Sequence, residues 1–370
     1  MTHKNRIEAY SRSRLERLRL LLFEARCDRL LVTHLPNIQY LCGFTGSAAI
    51  LLVEPSSATL FTDSRYTFQA REEVHGRGVR VQIASQGLLR AAGERLRAHK
   101  GRSSKVGFAP AQISVAQKHA VESAAGKKIR WVEANGVIEG LRAVKDSSEI
   151  QGMRAAALLI SRVFRETVPK ISLGMTELDL ATEIDYAMRK LGASGPSFET
   201  IVASGPRSAW AHARPSSKPL RKNELVVLDQ GAILRGCCSD MTRAVFLGRA
   251  PERIRRMYHA VLEAQRAAKD SIRPGVIAAE VDRAARQVLK KSGFGAYFTH
   301  STGHGLGIEV HEMPRLGKGD PTRLEAGMVV TVEPGAYIEG LGGVRIEDDV
   351  LVTSTGAEDL TDAPRDFLEL

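Results

Sequence analysis

A chain of 370 residues, 43% hydrophobic and 26% charged, is long enough for two domains with their own cores. It contains no apolar run near the roughly 20 residues that cross a bilayer, which argues against a membrane-spanning protein. The opening Met-Thr-His-Lys-Asn-Arg-Ile-Glu lacks the apolar centre of a signal peptide, so the sequence reads as cytoplasmic. The net charge of +11 is uneven: residues 1–145 carry 24 Lys and Arg against 12 Asp and Glu, and the remainder 29 against 30. A basic front half is one route to nucleic acid, but aromatics are only 5%. The arginines at 12, 14, 17, 19, 26 and 29 instead read as the solvated face of an amphipathic segment.

In chain order, Ser11–Arg26 has helical spacing through Leu15, Leu18, Leu22 and Phe23. Strands are expected at 28–33, 48–53, 58–63, 79–84 and 105–108, with helices from Tyr66 to Glu73 and over 88–98 and 114–123. This alternation predicts an α/β domain over residues 1–135. The second domain, 136–370, is expected to be α+β. It begins with a helix over 145–168, followed by one capped by Thr176 and closed at Gly192. A strand at 197–203 comes next, and helices at 252–271 and 278–292 lie between two hairpins. The order of helices and hairpins suggests an internal structural duplication without repeated sequence.

The hairpins carry the chemistry. Leu225–Leu228 is a strand, Gly231–Gly236 can turn, and a second run follows to Leu247. A fold near Leu234 and Arg235 sets Asp229 opposite Asp240. Likewise, folding Met328–Val350 at Gly340 sets Glu333 opposite Glu347. Facing carboxylates repel, and burying them unpaired is costly. Cations between them remove the problem. The glycine-rich Ser301-Thr-Gly-His304-Gly-Leu-Gly307 adds an imidazole. Four acids and one histidine balance two divalent cations, and an oxygen-rich set suits Mn²⁺, Mg²⁺ or Co²⁺. Cys238 shares strand parity with Asp240, yet a small buried residue is the better reading. The four cysteines (Cys27, Cys42, Cys237, Cys238) do not make a disulfide framework.

The ordered set Asp229, Asp240, His304, Glu333 and Glu347, with Ser239-Asp-Met-Thr-Arg, Gly303-His-Gly-Leu-Gly, Val332-Glu-Pro-Gly and Val344-Arg-Ile-Glu-Asp, resembles the metal-ligand signature of the pita-bread metallopeptidases. Gly43-Phe-Thr-Gly-Ser and Phe61-Thr-Asp-Ser-Arg-Tyr resemble the creatinase/prolidase N-terminal domain, which points to the Xaa-Pro peptidase branch (prolidase and aminopeptidase P). The resemblance implies that Asp229 ligates one metal, His304 and Glu333 the other, and that Asp240 and Glu347 bridge both. A water or hydroxide between the ions is then the nucleophile, with Glu333 as proton shuttle. The metals implied are two divalent ions, Mn²⁺ first, with Co²⁺ or Zn²⁺ as alternatives.

By the same resemblance His212, His300 and His311 line the substrate site, and Arg345 orients a ligand carboxylate. His3, His34, His75, His99, His119 and His259 read as packed or surface residues. Where the family usually has proline, this chain has Ala211, beside an unusual Trp210. Asp63, Arg65 and Tyr66 read as structural or as part of a dimer-facing wall. The expected substrates are peptides with proline second, acted on by a homodimer. The rivals are a metal-free creatinase-like hydrolase and a non-catalytic scaffold or nucleic-acid-binding protein; the complete acid set argues against both.

Overall fold

The computed structural model describes residues 3–24, 27–74, 78–98 and 104–370, with side chains from Arg14 onward. It divides into two compact units, Met1–Arg142 and Ala143–Leu370. Among the described residues no helix is long and apolar enough to cross a membrane.

The first unit is built on a six-stranded mixed sheet in the order Val79–Ile83, Ala58–Thr62, Ala49–Val53, Arg29–Val32, Ser104–Phe108, Ile129–Glu133. The last of these was not anticipated from sequence. Leu31, Ile50, Leu52, Phe61 and Val106 pack from the sheet against Ala92, Leu96 and Val121 of two helices. Helix Val137–Ala143 lies in this unit as far as Arg142, so the division falls at 142/143, beyond the expected 135/136. Its Arg142 donates to Asn37 Oδ1 at 2.7 Å, and Asn37 in turn donates to Glu139 at 2.8 Å. Burial raises the Glu139 carboxyl, but the Asn37 and Gln112 donors outweigh that and hold it below its ordinary value.

Of the arginines expected on a solvated face, Arg17 is exposed, Arg12 and Arg26 lie outside the residues with described side chains, and the other three are held by partners. Arg14 donates to the Tyr40 carbonyl, Arg19 to the Glu54 carbonyl, and Arg29 is buried 3.8 Å from the Glu54 carboxylate. Asp63 accepts from the Arg65 backbone and pairs with its guanidinium, while Tyr66 OH shares a hydrogen bond with Ser47.

The second unit repeats an order of elements. Helices Ser147–Thr167 and Glu177–Lys190 precede the strands Glu224–Gln230 and Met241–Leu247; helices Glu252–Ser271 and Ala278–Lys291 precede Val329–Val332 and Asp348–Val352. Asp146 with Glu149, and Thr176 with Asp179, form capping boxes that start the first two helices. The strand expected from residue 197 begins only at Ile201.

Strand alternation explains how the first hairpin is buried on both faces. Val226, Leu228 and Val245 pack with the first helix pair, through Ile160, Phe164 and Ile184. Leu225, Val227, Ala244 and Phe246 pack with the second, through Met257, Val261 and Val281, and with Val330 and Val344 of the second hairpin. Asp229, Asp240 and Thr242 continue this second face. The acids are therefore carried on strand ends fixed by core packing on each side.

Candidate metal centre

In the first hairpin Asp229 pairs with Thr242 and Gln230 with Met241. The turn lies at Arg235–Gly236, both with positive φ (52° and 79°), and Leu234 pairs with Cys237. Asp229 and Asp240 are consequently diagonal neighbours on one face, a correction of the directly opposed placement expected from a turn one residue earlier. In the second hairpin Val332 pairs with Asp348 and Gly335 with Arg345. The common register puts Glu333 across from Glu347, at the break between the two paired stretches.

His304 sits on a short strand that pairs with Glu312–Leu316 on one side and Val329–Val332 on the other. The glycines beside it permit this approach. A Cβ at Gly303 would lie 1.9 Å from the Thr331 carbonyl oxygen, and one at Gly305 2.1 Å from that of Met313.

These elements meet at a cleft of about 270 Å³ lined by Asp229, Asp240, Glu333, Glu347, His304, His311, His212 and Arg345. His304 Nε2 lies 3.7 Å from Asp240 Oδ2 and 3.5 Å from Glu333 Oε1. One ligand-type atom each from Asp240, His304 and Glu347 falls within 4.8 Å of the others, a spacing that can hold an ion. Buried Asp229 Oδ1 and Asp240 Oδ1 have no hydrogen-bond partner.

Burial and then repulsion from Glu347, Asp229, Asp349 and Glu333 push the Asp240 carboxyl well above its ordinary range. Glu347 is raised by burial and by Glu333 and Asp229, against the opposing pull of Arg345. Glu333 is pushed up to about 8 by burial, with Arg345 opposing and Asp229 adding. Burial, with His311 next to it, lowers His304 to about 4, so its imidazole is neutral at neutral pH. Crowded acids with unsatisfied oxygens beside a neutral imidazole fit a divalent cation on the chemistry of the donor set.

Support comes from behind the acids. Arg345 is buried; Nη2 donates to Asp229 Oδ2 at 2.5 Å, Nε to Thr242 Oγ1 at 3.0 Å, and Nη1 to Tyr337 OH at 2.7 Å and the Ala211 carbonyl at 3.0 Å. Thr242 Oγ1 donates to Glu347 Oε2 at 2.6 Å. Arg243, almost fully buried, donates to the Glu347 carbonyl and to Asp348 Oδ1, and Asp349 Oδ2 accepts from the Asp240 backbone at 3.1 Å.

Thr242, Tyr337 and Asp349 were not singled out in sequence. The signal was there for Thr242, two residues from Asp240 on one strand face. Ala211 contributes its carbonyl, and neither it nor Trp210 lines the cleft; the Trp210 ring lies under Arg207, 4.9 Å from its guanidinium carbon.

The other expected residues divide. His212 and His311 line the cleft, and the His311 ring lies 4.3 Å from that of His304. His300 does not line it. Its Nδ1 is 2.8 Å from the Ser301 carbonyl and its Nε2 2.9 Å from Tyr337 OH, so both nitrogens are engaged. With Arg345 donating to that hydroxyl, the chain of bonds runs Arg345 to Tyr337 to His300 Nε2, with Nδ1–H donating to Ser301. Burial, aided by Arg345, lowers His300 to about 4.

Cys238 is no ligand in this arrangement: its thiol donates to the Ile308 carbonyl at 3.3 Å, and burial pushes it up to about 12. His75 and His99 lie outside the described residues, and His3 outside those with described side chains.

Comparison with known proteins identifies the family. Residues 151–354 match metallopeptidase family M24, and residues 14–144 match the creatinase/prolidase N-terminal domain. The chain is 37% identical to the uncharacterised peptidase YqhT of Bacillus subtilis over 96% of this chain and 100% of that protein. It superposes on the Xaa-Pro dipeptidase from Bacillus anthracis with a TM-score of 0.93 at 36% identity, covering 97% and 100% of the two chains. For the X-Pro aminopeptidase from Thermotoga maritima the TM-score is 0.88 at 35% identity, covering 96% and 99%.

The α/β front unit is thus a creatinase/prolidase-like domain and the α+β unit a pita-bread catalytic domain. With the acid hairpins and the histidine strand all inside the matched segment, the chain belongs to metallopeptidase family M24, in its Xaa-Pro peptidase branch.

Proposed function

We propose that this metallopeptidase hydrolyses the bond between an N-terminal residue and a following proline, as an Xaa-Pro dipeptidase or Xaa-Pro aminopeptidase. Two divalent ions, Mn²⁺ first and Co²⁺ or Zn²⁺ as alternatives, belong to this reading. The observation that carries it is the convergence of Asp229, Asp240, His304, Glu333 and Glu347 on one cleft, with buried acid oxygens that lack any other partner. Asp229 would hold one ion, His304 and Glu333 the other, and Asp240 and Glu347 both. The likeness to proteins named as dipeptidase and aminopeptidase supports proline at the second position.

When bound, the ions supply a water of lowered pKa and polarise the scissile carbonyl. The residues of the chain do the rest. A Glu333 carboxylate oxygen takes the proton of the attacking water and returns it to the departing proline nitrogen. His311 and His212, both in the cleft wall, would donate to the carbonyl oxygen as it gains charge. Arg345 holds Asp229 through its guanidinium. His300 acts from behind, setting the Tyr337 hydroxyl that Arg345 also grips. A homodimer completes the proposal, resting on the resemblance alone.

Cleavage of Ala-Pro and Ala-Pro-Pro by metal-stripped protein, with and without Mn²⁺, tests the reading. Activity is expected only when the ion is restored. Turnover that ignores chelation would favour a creatinase-like hydrolase. Salt-dependent binding to duplex DNA or RNA without any cleavage would favour the scaffold.

A further inference from the structure

We propose that Arg207, held by the buried carboxylate of Glu177, is a positioning residue for His212, bracing the loop that carries this imidazole into the cleft wall. This rests on the Xaa-Pro reading above, in which His212 donates to the substrate carbonyl oxygen.

Glu177 is fully buried at the start of helix Glu177–Lys190. Its Oε1 accepts from the Ser204 backbone at 2.8 Å and the Ser204 hydroxyl at 2.9 Å. Its Oε2 accepts from the Ser216 backbone at 3.1 Å and the Ser216 hydroxyl at 2.7 Å. The Leu178 N–H donates to the Ser216 carbonyl at 3.1 Å and the Glu177 N–H to that of Lys218 at 3.1 Å. One carboxylate therefore closes both ends of segment 204–216, and His212 lies within the closed loop.

Arg207 bridges that loop. Its Nε donates to Glu177 Oε2 at 3.0 Å, its Nη2 to the Arg214 carbonyl at 2.6 Å, and its Cζ lies 4.9 Å from the centre of the Trp210 ring. Trp210 and Arg214 stand two residues to either side of His212, so one guanidinium fixes the chain before and after the imidazole. A planar fork makes the ion pair, the carbonyl contact and the ring contact together. The brace also gives Trp210 and Ala211 a place in the argument. Trp210 is the surface on which Arg207 rests, and Ala211 lacks the fixed φ of proline, so the stiffness of this turn comes from contacts across the loop.

Removing Arg207 does not strand Glu177, which keeps four donors from Ser204 and Ser216. The test therefore measures cleavage of Ala-Pro and Ala-Pro-Pro, with metal content, in Mn²⁺-loaded wild type, Arg207→Ala, Arg207→Lys, His212→Ala and Arg207→Ala/His212→Ala. Arg207→Ala should lower kcat about tenfold, the size of one weakened hydrogen bond to a developing charge, with KM changed less than threefold and metal content as in the wild type. Arg207→Lys should recover part of the loss, since an ammonium restores the charge beside Glu177 without the fork. In the His212→Ala background the same Arg207→Ala change should alter kcat less than twofold, because the group it positions is gone. A wild-type kcat in Arg207→Ala, an equal fold loss in both backgrounds, or a loss that follows missing metal would overturn the assignment and leave the peptidase reading intact. A wild type that cleaves neither peptide would instead overturn that reading, and this inference with it.

Discussion

Arg345 Nη2 donates to Asp229 Oδ2 at 2.5 Å across 116 residues of chain. The contact links the return strand of one acid hairpin to the outgoing strand of the other. Because the same guanidinium grips Thr242, which donates to Glu347, it aligns acids from both hairpins at once. Arg345→Ala should lower kcat/KM by about 10–100-fold and weaken metal retention, the usual cost of losing an outer partner of a ligand. Arg345→Lys should recover little, since an ammonium cannot match the planar fork. Wild-type kinetics with wild-type metal content in Arg345→Ala would show that the guanidinium is only packing.

Asp240 and His311 should fail in different ways. Asp240 sits among Glu347, Asp229 and Glu333, so Asp240→Ala should abolish turnover and leave the purified protein without either ion. His311 lies beyond His304 at the cleft wall. His311→Ala should keep its metals and lose most of its kcat. Elemental analysis alongside kinetics separates the two outcomes, and a metal-free His311→Ala would mean that the inner and outer roles are reversed.

The crowded acids also set a pH dependence. Burial, with Asp229 adding and Arg345 opposing, lifts Glu333 from an ordinary 4.5 up to about 8, and Asp240 and Glu347 are raised as well. A carboxyl raised on folding contributes stability that is fully present below its unfolded pKa and lost as pH rises through its folded value. Metal-free protein should therefore unfold more readily at about pH 8 than at about pH 5. Added Mn²⁺ should raise Tm more at the higher pH, where the acids are ionised and the cation replaces their protons. A Tm that is flat with pH, or a Mn²⁺ shift larger at pH 5, would contradict a shared acid site.

Much of this centre was legible because strands alternate and turns have signatures. The second hairpin folds about Gly340, and its register puts Glu333 across from Glu347 as the sequence suggested. The first hairpin turns one residue later than expected, because Arg235 adopts a positive φ that sequence reasoning reserves for glycine.

What escaped the sequence is long-range hydrogen bonding. Both ring nitrogens of His300 are taken by Tyr337 and Ser301, with Nδ1 3.9 Å from Glu333 Oε2, and periodicity carries no trace of which hydroxyl an imidazole meets. Three arginines of the front half looked solvated for the same reason. Arg14, Arg19 and Arg29 find partners in Tyr40 and Glu54, distant in the chain. The strand Ile129–Glu133 is short and follows two lysines, so pairing with Ser104–Phe108 decides its conformation more than its own propensity.

The Lys145–Glu312 pair offers the sharpest stability test. Lys145 Nζ lies 3.2 Å from Glu312 Oε2, with side-chain exposures of only 2% and 6%. The ammonium also donates to the Ala143 carbonyl at 3.3 Å, and Glu312 Oε1 accepts from the Glu309 backbone at 3.1 Å. A Cβ at Gly307 would fall 2.8 Å from both carboxylate oxygens, so this glycine is what lets Glu312 sit there. The pair thereby ties the start of the catalytic unit to the segment that carries His311. Removing one member strands a buried charge, and Lys145→Met should cost about 3–5 kcal/mol. The double variant Lys145→Met/Glu312→Leu should recover much of that, because no lone charge remains. Urea unfolding of the metal-loaded proteins reads both changes. A wild-type midpoint for Lys145→Met would mean that water reaches the pair and that it holds nothing in place. A double variant no better than the single would mean that packing, and not the stranded carboxylate, sets the cost.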